Sequence, residues 1–263
     1  MRISILGVGN IGSSIAKGLI SSKDFKAKNI FLTRKRRNLL EDYGKLGFSI
    51  AKDNADAVKN TEIVIVAVTP QQLDGVLHEI REVLNPAKHK ILSVVSGASI
   101  KQIKDQLGID LPVVRVMPNT AIAIRESMTC ISGENEDAVQ LSVKIFDKVG
   151  KCAIIPEEHM VPATALCACG IAFFMRAIRA ASQGGIEIGF HAEEALFMAA
   201  QTAKGAAAML LEAGNHPERE VDRVTTPQGC TITGLNNMEH SGFSSALIKG
   251  IVSSAEKAKT LYS

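Results

Sequence analysis

Three glycines and a Thr-Arg pair carry the first chemical signal in this chain. Gly7, Gly9 and Gly12 have the spacing Gly-x-Gly-x-x-Gly within "ILGVGNIGSSIAKGL", directly after an apolar run and before a helical pattern of Ile11, Ile15 and Leu19. Glycines so placed permit a tight turn, let backbone N–H groups approach a pyrophosphate, and let helix and strand pack closely at the positive helix end. Val8, Asn10 and Ile11 complete that loop, so Gly7 to Gly12 is a candidate dinucleotide cradle. About 20 residues further on, the second strand of such a unit ends in a carboxylate when a ribose 2′-hydroxyl is read, and in Arg when a 2′-phosphate is accommodated. Here the position holds Thr33 and Arg34, inside "LTRKRRN". A hydroxyl and a guanidinium can bond a phosphate that a carboxylate would repel, so the expected cofactor is NADP(H) in preference to NAD(H). Lys35, Arg36 and Arg37 either support that site electrostatically or only begin a solvated helix.

Two further stretches bear on the same cleft. In a doubly wound sheet the ligand lies outside the carboxyl ends of the strands, which places Ala67, Val68, Thr69 and Pro70 of "AVTP" along it. Asn54 either touches the adenosine ribose or serves as a turn residue. Later, "TTPQGCTITGL" is a Pro/Gly turn followed by a helix start, which leaves N–H groups aimed outward. A small carboxylate can sit on the N–H groups of Gly229, Cys230 and Thr231, helped by the helix dipole. Taken alone, Thr231 would read as a plain N-cap.

The elements that must position these residues follow from periodicity. Up to about residue 155, strands are expected at Arg2–Leu6, Asn29–Thr33, Glu62–Val68, Lys90–Val95, Val113–Met117, Ser127–Ile131 and Lys151–Ile155. Amphipathic stretches such as Gln72–Leu84 lie between them. After Pro156 the strand runs stop, and Ala-rich helices are expected over Glu157–Ile188, Ala192–Ala213 and Phe243–Leu261. The fold class is therefore α/β: an N-terminal Rossmann-type, doubly wound, mostly parallel sheet over residues 1–155, followed by an all-helical C-terminal domain over 156–263. The helical half has long small-residue faces and few chain-mates to cover them, which suggests a homodimer through that half.

Composition excludes other classes. With 263 residues, a net charge of +3 and only 4% aromatics, the chain lacks the basic, aromatic-interleaved surface of a nucleic-acid binder. Five cysteines without a Cys-x-x-Cys pair indicate neither a disulfide framework nor a metal site, and they fit a reducing compartment. No stretch reads as the ~20 consecutive apolar residues of a membrane span, so a cytoplasmic location is expected, with no membrane partner.

"VVRVMPNTAIAI" (113–124) and "VTTPQGCTITGLNNMEHSGF" (224–243) resemble the pyrroline-5-carboxylate reductases, whose corresponding patterns are R-x-M-P-N-T-P and V-x-S-P-G-G-T-T-I. With the glycine loop, "AVTP", "QTAKGAAAML" and "HPE" in the expected order, the resemblance covers essentially the whole chain. It implies NAD(P)H-dependent reduction of the cyclic imine Δ1-pyrroline-5-carboxylate to L-proline, the last step of proline biosynthesis, by dimers that can form higher rings. It implies cofactor contacts at Gly7 to Gly12, Thr33, Arg34, Asn54, Ala67 to Pro70 and Gly97, with Asn119 near the nicotinamide. Its substrate loop falls on Thr226 to Thr231, with Thr231 offering its hydroxyl to the ring nitrogen, and an acidic substrate-side residue falls on Glu157.

The chain also departs from the pattern. A-L-S-G-S-G-P-A-Y reads "ALCACGIAF", with Cys167 and Cys169 for both serines, Ile171 for Pro and Phe173 for Tyr. Thr69 stands for a lysine, Ala121 for a proline, and Gln228 and Cys230 break the Gly-Gly-Thr-Thr run. Cys167 and Cys169 read as packed small residues. Three alternatives stay open or are weighed: a non-catalytic NADP-binding regulator, a reductase of another cyclic imine, and a 3-hydroxyacid dehydrogenase. The last lacks its Lys and Asn on the first long C-terminal helix, so alcohol oxidation has no base.

Overall fold

In a computed structural model that describes residues 1–262, the first part of the chain forms an eight-stranded sheet. The strands are β1 (Ile3–Leu6), β2 (Ile30–Thr33), β3 (Ser49–Ile50), β4 (Ile63–Val66), β5 (Lys90–Ser93), β6 (Val113–Met117), β7 (Ser127–Gly133) and β8 (Gly150–Ile154). Their order is β3-β2-β1-β4-β5-β6-β7-β8. All pairings are parallel except β6 with β7. The exception has a local cause: only residues 118–126 join β6 to β7, too few for the crossover a parallel pair needs.

The helices of this part are α1 (Asn10–Ser21), α2 (Glu41–Lys45), α3 (Asn54–Lys59), α4 (Pro70–Ile80), α5 (Ile100–Leu107), α6 (Glu136–Phe146) and α7 (Met160–Ala163). Because helices cover both sheet faces, the central strands are buried on both sides, and β1 (ISIL) and β4 (IVIV) read as unbroken apolar runs. Their alternation still shows. Ile3, Ile5, Ile63 and Ile65 join one core with Ile15, Leu19 and Phe146, while Leu6, Val64 and Val66 join the other with Leu73, Leu77 and Ile103.

The chain leaves β1 toward β2, then returns to β4 on the other side of β1. That reversal opens a crevice at the carboxyl ends of β1 and β4. The seven expected strands are present within a residue or two at most ends. The two-residue β3 was not expected, since "SI" is a half-buried edge pair with no apolar run.

The remaining helices are α8 (Gly170–Glu187), α9 (Ala192–Ala213), α10 (Pro217–Arg223), α11 (Cys230–His240) and α12 (Phe243–Ala258). The backbone divides into two compact units, Met1–Cys169 with Ser253–Ser263, and Gly170–Val252. The sequence change near residue 155 lies earlier, because residues after Pro156 stay with the sheet: Met160 and Ala163 pack on Met117 of β6 and Cys130 of β7. Within the helical unit α8 and α9 approach closely, and a Cβ on Gly185 would stand 3.0 Å from that of Ala195.

Few residues of the helical unit are buried, and Phe174, Phe197, Leu211 and Ile248 are exposed, Leu211 by 85%. Against the sequence expectation, the helical run Glu157–Glu187 is long and apolar enough to cross a membrane by length and composition, with mean hydropathy 1.7. Such apolar, unpartnered surface is equally what an interface between protein chains requires.

Candidate active site

The switch-point crevice is a cleft of about 850 Å³. Of the expected cofactor residues, Gly7, Val8, Gly9, Thr33, Arg34, Asn54, Ala67, Val68 and Thr69 line it. Lys35, Arg36 and Arg37 line it too, so all four bases of "TRKRR" face the same cleft. Asn10, Ile11 and Gly12 begin α1, Pro70 begins α4, and Gly97 and Asn119 lie outside the lining.

Each glycine of the loop has its own reason. Gly7 adopts φ +97°, where a Cβ would also meet Val68 Cγ1 at 2.6 Å and the Ala67 carbonyl oxygen at 2.7 Å. At Gly12 a Cβ would stand 2.3 Å from the Gly7 carbonyl oxygen. A Cβ on Gly9 would meet no atom of the described residues within 4 Å, its chain neighbours apart. Open space above a glycine that N-caps α1, with no side chain capping the helix, fits a ligand phosphate brought against backbone amides. The loop is tied to β2, because the amides of Gly7 and Val8 donate to the Thr33 carbonyl at 3.2 and 2.9 Å. This couples the glycine loop to the residue pair expected to read the ribose.

At the other end of the cleft the Thr33 hydroxyl donates to Asn54 Oδ1 at 2.6 Å, and Asn54 Nδ2 donates to Glu79 Oε2 at 2.5 Å. Asn54 also opens α3, next to Asp53, whose side chain accepts the Asp56 amide. Glu79, Gln72, Gly75 and Val76 line the cleft from α4 and were not among the expected site residues. Their signal was available: positions 72, 75, 76 and 79 share one face of the helix that Thr69 and Pro70 begin.

Gly97 adopts φ +88°, and a Cβ there would stand 3.1 Å from the Tyr262 Cβ. The Tyr262 hydroxyl donates to Asp74 of α4; burial, then that bond, pushes its pKa up to about 12. Asn119 is buried and largely committed. Its Oδ1 accepts the Ala121 amide at 3.0 Å, and its Nδ2 donates to the Cys167 carbonyl at 3.3 Å.

Glu157 also has structural partners, since its Oε1 accepts the Ile100 amide at the start of α5 (2.7 Å) and Nη1 of buried Arg115 (3.3 Å). Burial pulls the Arg115 pKa down, Glu157 opposes that, and Nε and Nη2 of Arg115 have no partner among the described residues. Glu157 belongs to the sheet unit and Thr226 to Thr231 to the helical unit.

In that loop Gln228 adopts φ +58° and Gly229, not Thr231, is the N-cap of α11. The plain N-cap reading of Thr231 is thus corrected: it is the second helical residue, exposed, and its hydroxyl has no bond among the described residues. The Gly229 carbonyl accepts the Thr233 amide and hydroxyl at 3.3 and 3.1 Å. No acceptor within the described residues takes the amides of Cys230, Thr231 and Ile232, so three donors and one hydroxyl are open at a positive helix end. Gly229 is required here, as a Cβ would stand 2.4 Å from Thr226 Oγ1.

The Cys167 reading also sharpens. Thr164–Cys169 is a π-helical stretch, and Cys167 Sγ lies 3.9 Å from Cys130 Sγ. Accepting that thiol's S–H bond lowers the Cys167 pKa to about 7 against the opposing effect of burial, and the same bond, with burial, raises Cys130. No group of three or more metal-ligating side chains occurs among the described residues.

Comparison with known proteins bears on both parts of the chain. Residues 157–261 match a family model described as pyrroline-5-carboxylate reductase dimerisation, and residues 2–97 one described as NADP oxidoreductase coenzyme F420-dependent. Pyrroline-5-carboxylate reductase 1 of Dictyostelium discoideum is 53% identical over 99% of this chain, which spans 50% of that relative's length. Pyrroline-5-carboxylate reductase 2 of the same organism is 48% identical, with 98% of this chain and 92% of the relative covered. Among solved structures, the Plasmodium falciparum pyrroline carboxylate reductase with NADP bound superposes with a TM-score of 0.89 over 100% of this chain and 98% of that one. At 23% identity it speaks for the fold.

Proposed function

The chain belongs to the pyrroline-5-carboxylate reductase family, and we propose that it reduces the C=N bond of Δ1-pyrroline-5-carboxylate with NADPH to give L-proline. The observation that carries this reading is the cleft in which an uncapped helix end and open Gly9 stand beside Thr33, Arg34 and three further bases. Bound NADPH supplies a hydride for the imine carbon. The amides of Asn10, Ile11 and Gly12 at the start of α1 hold the pyrophosphate, since those of Gly7, Val8 and Gly9 are already bonded within the loop, and Arg34 pairs with the 2′-phosphate, which favours NADP(H) over NAD(H).

Ala67 to Pro70 form the wall beyond the loop. Gly97 and Asn119 belong to the nicotinamide end, Asn119 through the local bonds that fix its segment. The open amides of Cys230 and Thr231 take the substrate carboxylate, while the Gly229 amide, expected among them, donates to the Thr226 carbonyl at 2.9 Å and holds the turn; the Thr231 hydroxyl donates toward the ring nitrogen as hydride addition frees its lone pair. Glu157 carries a substrate role from the family resemblance alone, since its carboxylate is bonded to the Ile100 amide and to Arg115. Such positioning, rather than a strong acid, is what the reaction asks of the protein, because an imine is readily protonated before it binds.

The match to the dimerisation region and the exposed apolar side chains of α8, α9 and α12 support a homodimer built through the C-terminal part, within which rings of dimers are a further expectation. A cytoplasmic site of action accords with five free cysteines. The test is NADPH oxidation on addition of racemic pyrroline-5-carboxylate, with NADH compared at equal concentration. Turnover favouring NADPH supports the reading. Tight NADPH binding without turnover would support a regulatory protein instead, for which the Cys167 to Ile171 departures are the motive.

A further inference from the structure

We infer that Glu79 is a positioning residue that tunes cofactor choice by dictating which way the Thr33 hydroxyl points; this rests on the NADP(H) reading above. The inference stands on the hydrogen-bonded chain Thr33–Asn54–Glu79 at the ribose end of the cleft. A carboxylate only accepts, so of the two faces of the Asn54 amide only Nδ2 can lie against Glu79. Oδ1 is therefore turned to Thr33, and the single hydroxyl hydrogen of Thr33 is used on Asn54. What Thr33 then shows the cleft is lone pairs.

Those lone pairs suit a donor such as a ribose 2′-hydroxyl, whereas a 2′-phosphate presents acceptors only. To bond a phosphate, Thr33 must turn its hydrogen away from Asn54 and leave two oxygens facing each other. Glu79 therefore works against Arg34. Arg34 attracts the 2′-phosphate, while Glu79, by way of Asn54 and by its own charge, narrows the margin over NAD(H). The outcome is an enzyme less selective than its run of four bases suggests.

Replacing Glu79 with Gln keeps the length and hydrogen-bonding capacity but lets the facing group donate or accept. Asn54 can then turn over, offering Nδ2 to Thr33, and the Thr33 hydrogen becomes free for phosphate. The experiment is calorimetric titration of the whole protein with 2′,5′-ADP and with 5′-AMP, the fragments that differ only in the 2′-phosphate. It is run on the wild type, Glu79→Gln, Thr33→Val and the double variant, with melting curves to confirm folding.

The expected result is that Glu79→Gln raises the affinity ratio of 2′,5′-ADP over 5′-AMP roughly 10- to 30-fold, the lower part of the range for one hydrogen bond to a charged group. In the Thr33→Val background the same change should raise it only about 2-fold, the part due to charge alone. An unchanged ratio in Glu79→Gln, or an equal rise in both backgrounds, overturns the inference. Arg34→Ala in the same titration separates the two ideas: if it lowers the ratio while Glu79→Gln leaves it alone, the cofactor reading stands and the relay falls. If Arg34→Ala leaves the ratio unchanged, both fall.

Discussion

Replacing Arg34 with Ala should cost the chain most of its discrimination between the two nicotinamide cofactors. Arg34 is exposed at the rim of the cleft, just beyond β2. A hydrogen bond from a cation to a phosphate is worth about 1.5–3 kcal/mol. Exposure to water, and carboxylates of Asp53 and Glu79 in the same cleft, argue for the lower half of that range. About 1.5–2 kcal/mol corresponds to a roughly 10- to 30-fold rise in KM for NADPH. The loss stops there because Lys35, Arg36 and Arg37 still face the cleft.

Arg34→Asp should do more, since it places a charge of the same sign near a phosphate carrying almost two negative charges, adding about 1–2 kcal/mol before screening. For NADH, which has no 2′-phosphate, both variants should change KM by less than about 2-fold, a surface-charge effect. The assay is initial rate against cofactor concentration at fixed pyrroline-5-carboxylate, at low and at physiological salt. Equal rises for NADPH and NADH would refute the reasoning, because they would make Arg34 a general support of the cleft rather than a reader of the phosphate.

Three other outcomes follow from the same structure. Thr231→Ala should lower kcat roughly 10-fold or more without lowering the melting temperature, because Gly229 caps α11 and the Thr231 hydroxyl has no partner to lose among the described residues; unchanged kcat would remove its proposed role. Buried His89 has its folded pKa pushed below 6.5, first by burial and then by Lys88, so the unfolded chain takes up the proton first. Its contribution is complete above pH 6.5 and is lost as pH falls through the folded value, at up to about 1.4 kcal/mol per pH unit. Urea unfolding of His89→Gln between pH 7.5 and 5 should therefore be less acid-sensitive than the wild type, and equal slopes would contradict this. Alkylation of Cys167 should set in at lower pH than that of an ordinary thiol, and Cys130→Ala should move its midpoint upward by removing the S–H donor; an unmoved midpoint would dissociate the pair.

Much of the sheet was legible because a parallel strand buried on both faces can be built only from a short apolar run, and β1 and β4 are such runs. The glycine turn and the placement of Arg34 at the cleft were legible for a related reason: the backbone geometry of the turn constrains residue type, and the position just past the second strand follows from the order of elements. β3 escaped because an edge pair held by two residues needs no pattern. Glu79 escaped because its part depends on Asn54 and Thr33, which are distant in sequence and meet only when α3, α4 and β2 are in place.

The position of the α11 cap was hidden for a different cause. A threonine at a helix start resembles a cap, but Gln228 in the left-handed region turns the chain one step early and gives that position to Gly229. Cys167 was read as a plain packed residue, since nothing local in sequence announces Cys130 across the sheet. The helical unit was legible as helices but not as a folded object, because its apolar side chains point to a surface that a single chain does not cover.

The central claim is a hydride transfer to a ring imine, and isotope transfer tests it most directly. With NADPH carrying deuterium at the transferable nicotinamide C4 position, incubation with pyrroline-5-carboxylate should give L-proline bearing one deuterium on the ring carbon that was doubly bonded to nitrogen. Proline without deuterium, or no proline although NADPH binds, would contradict the account.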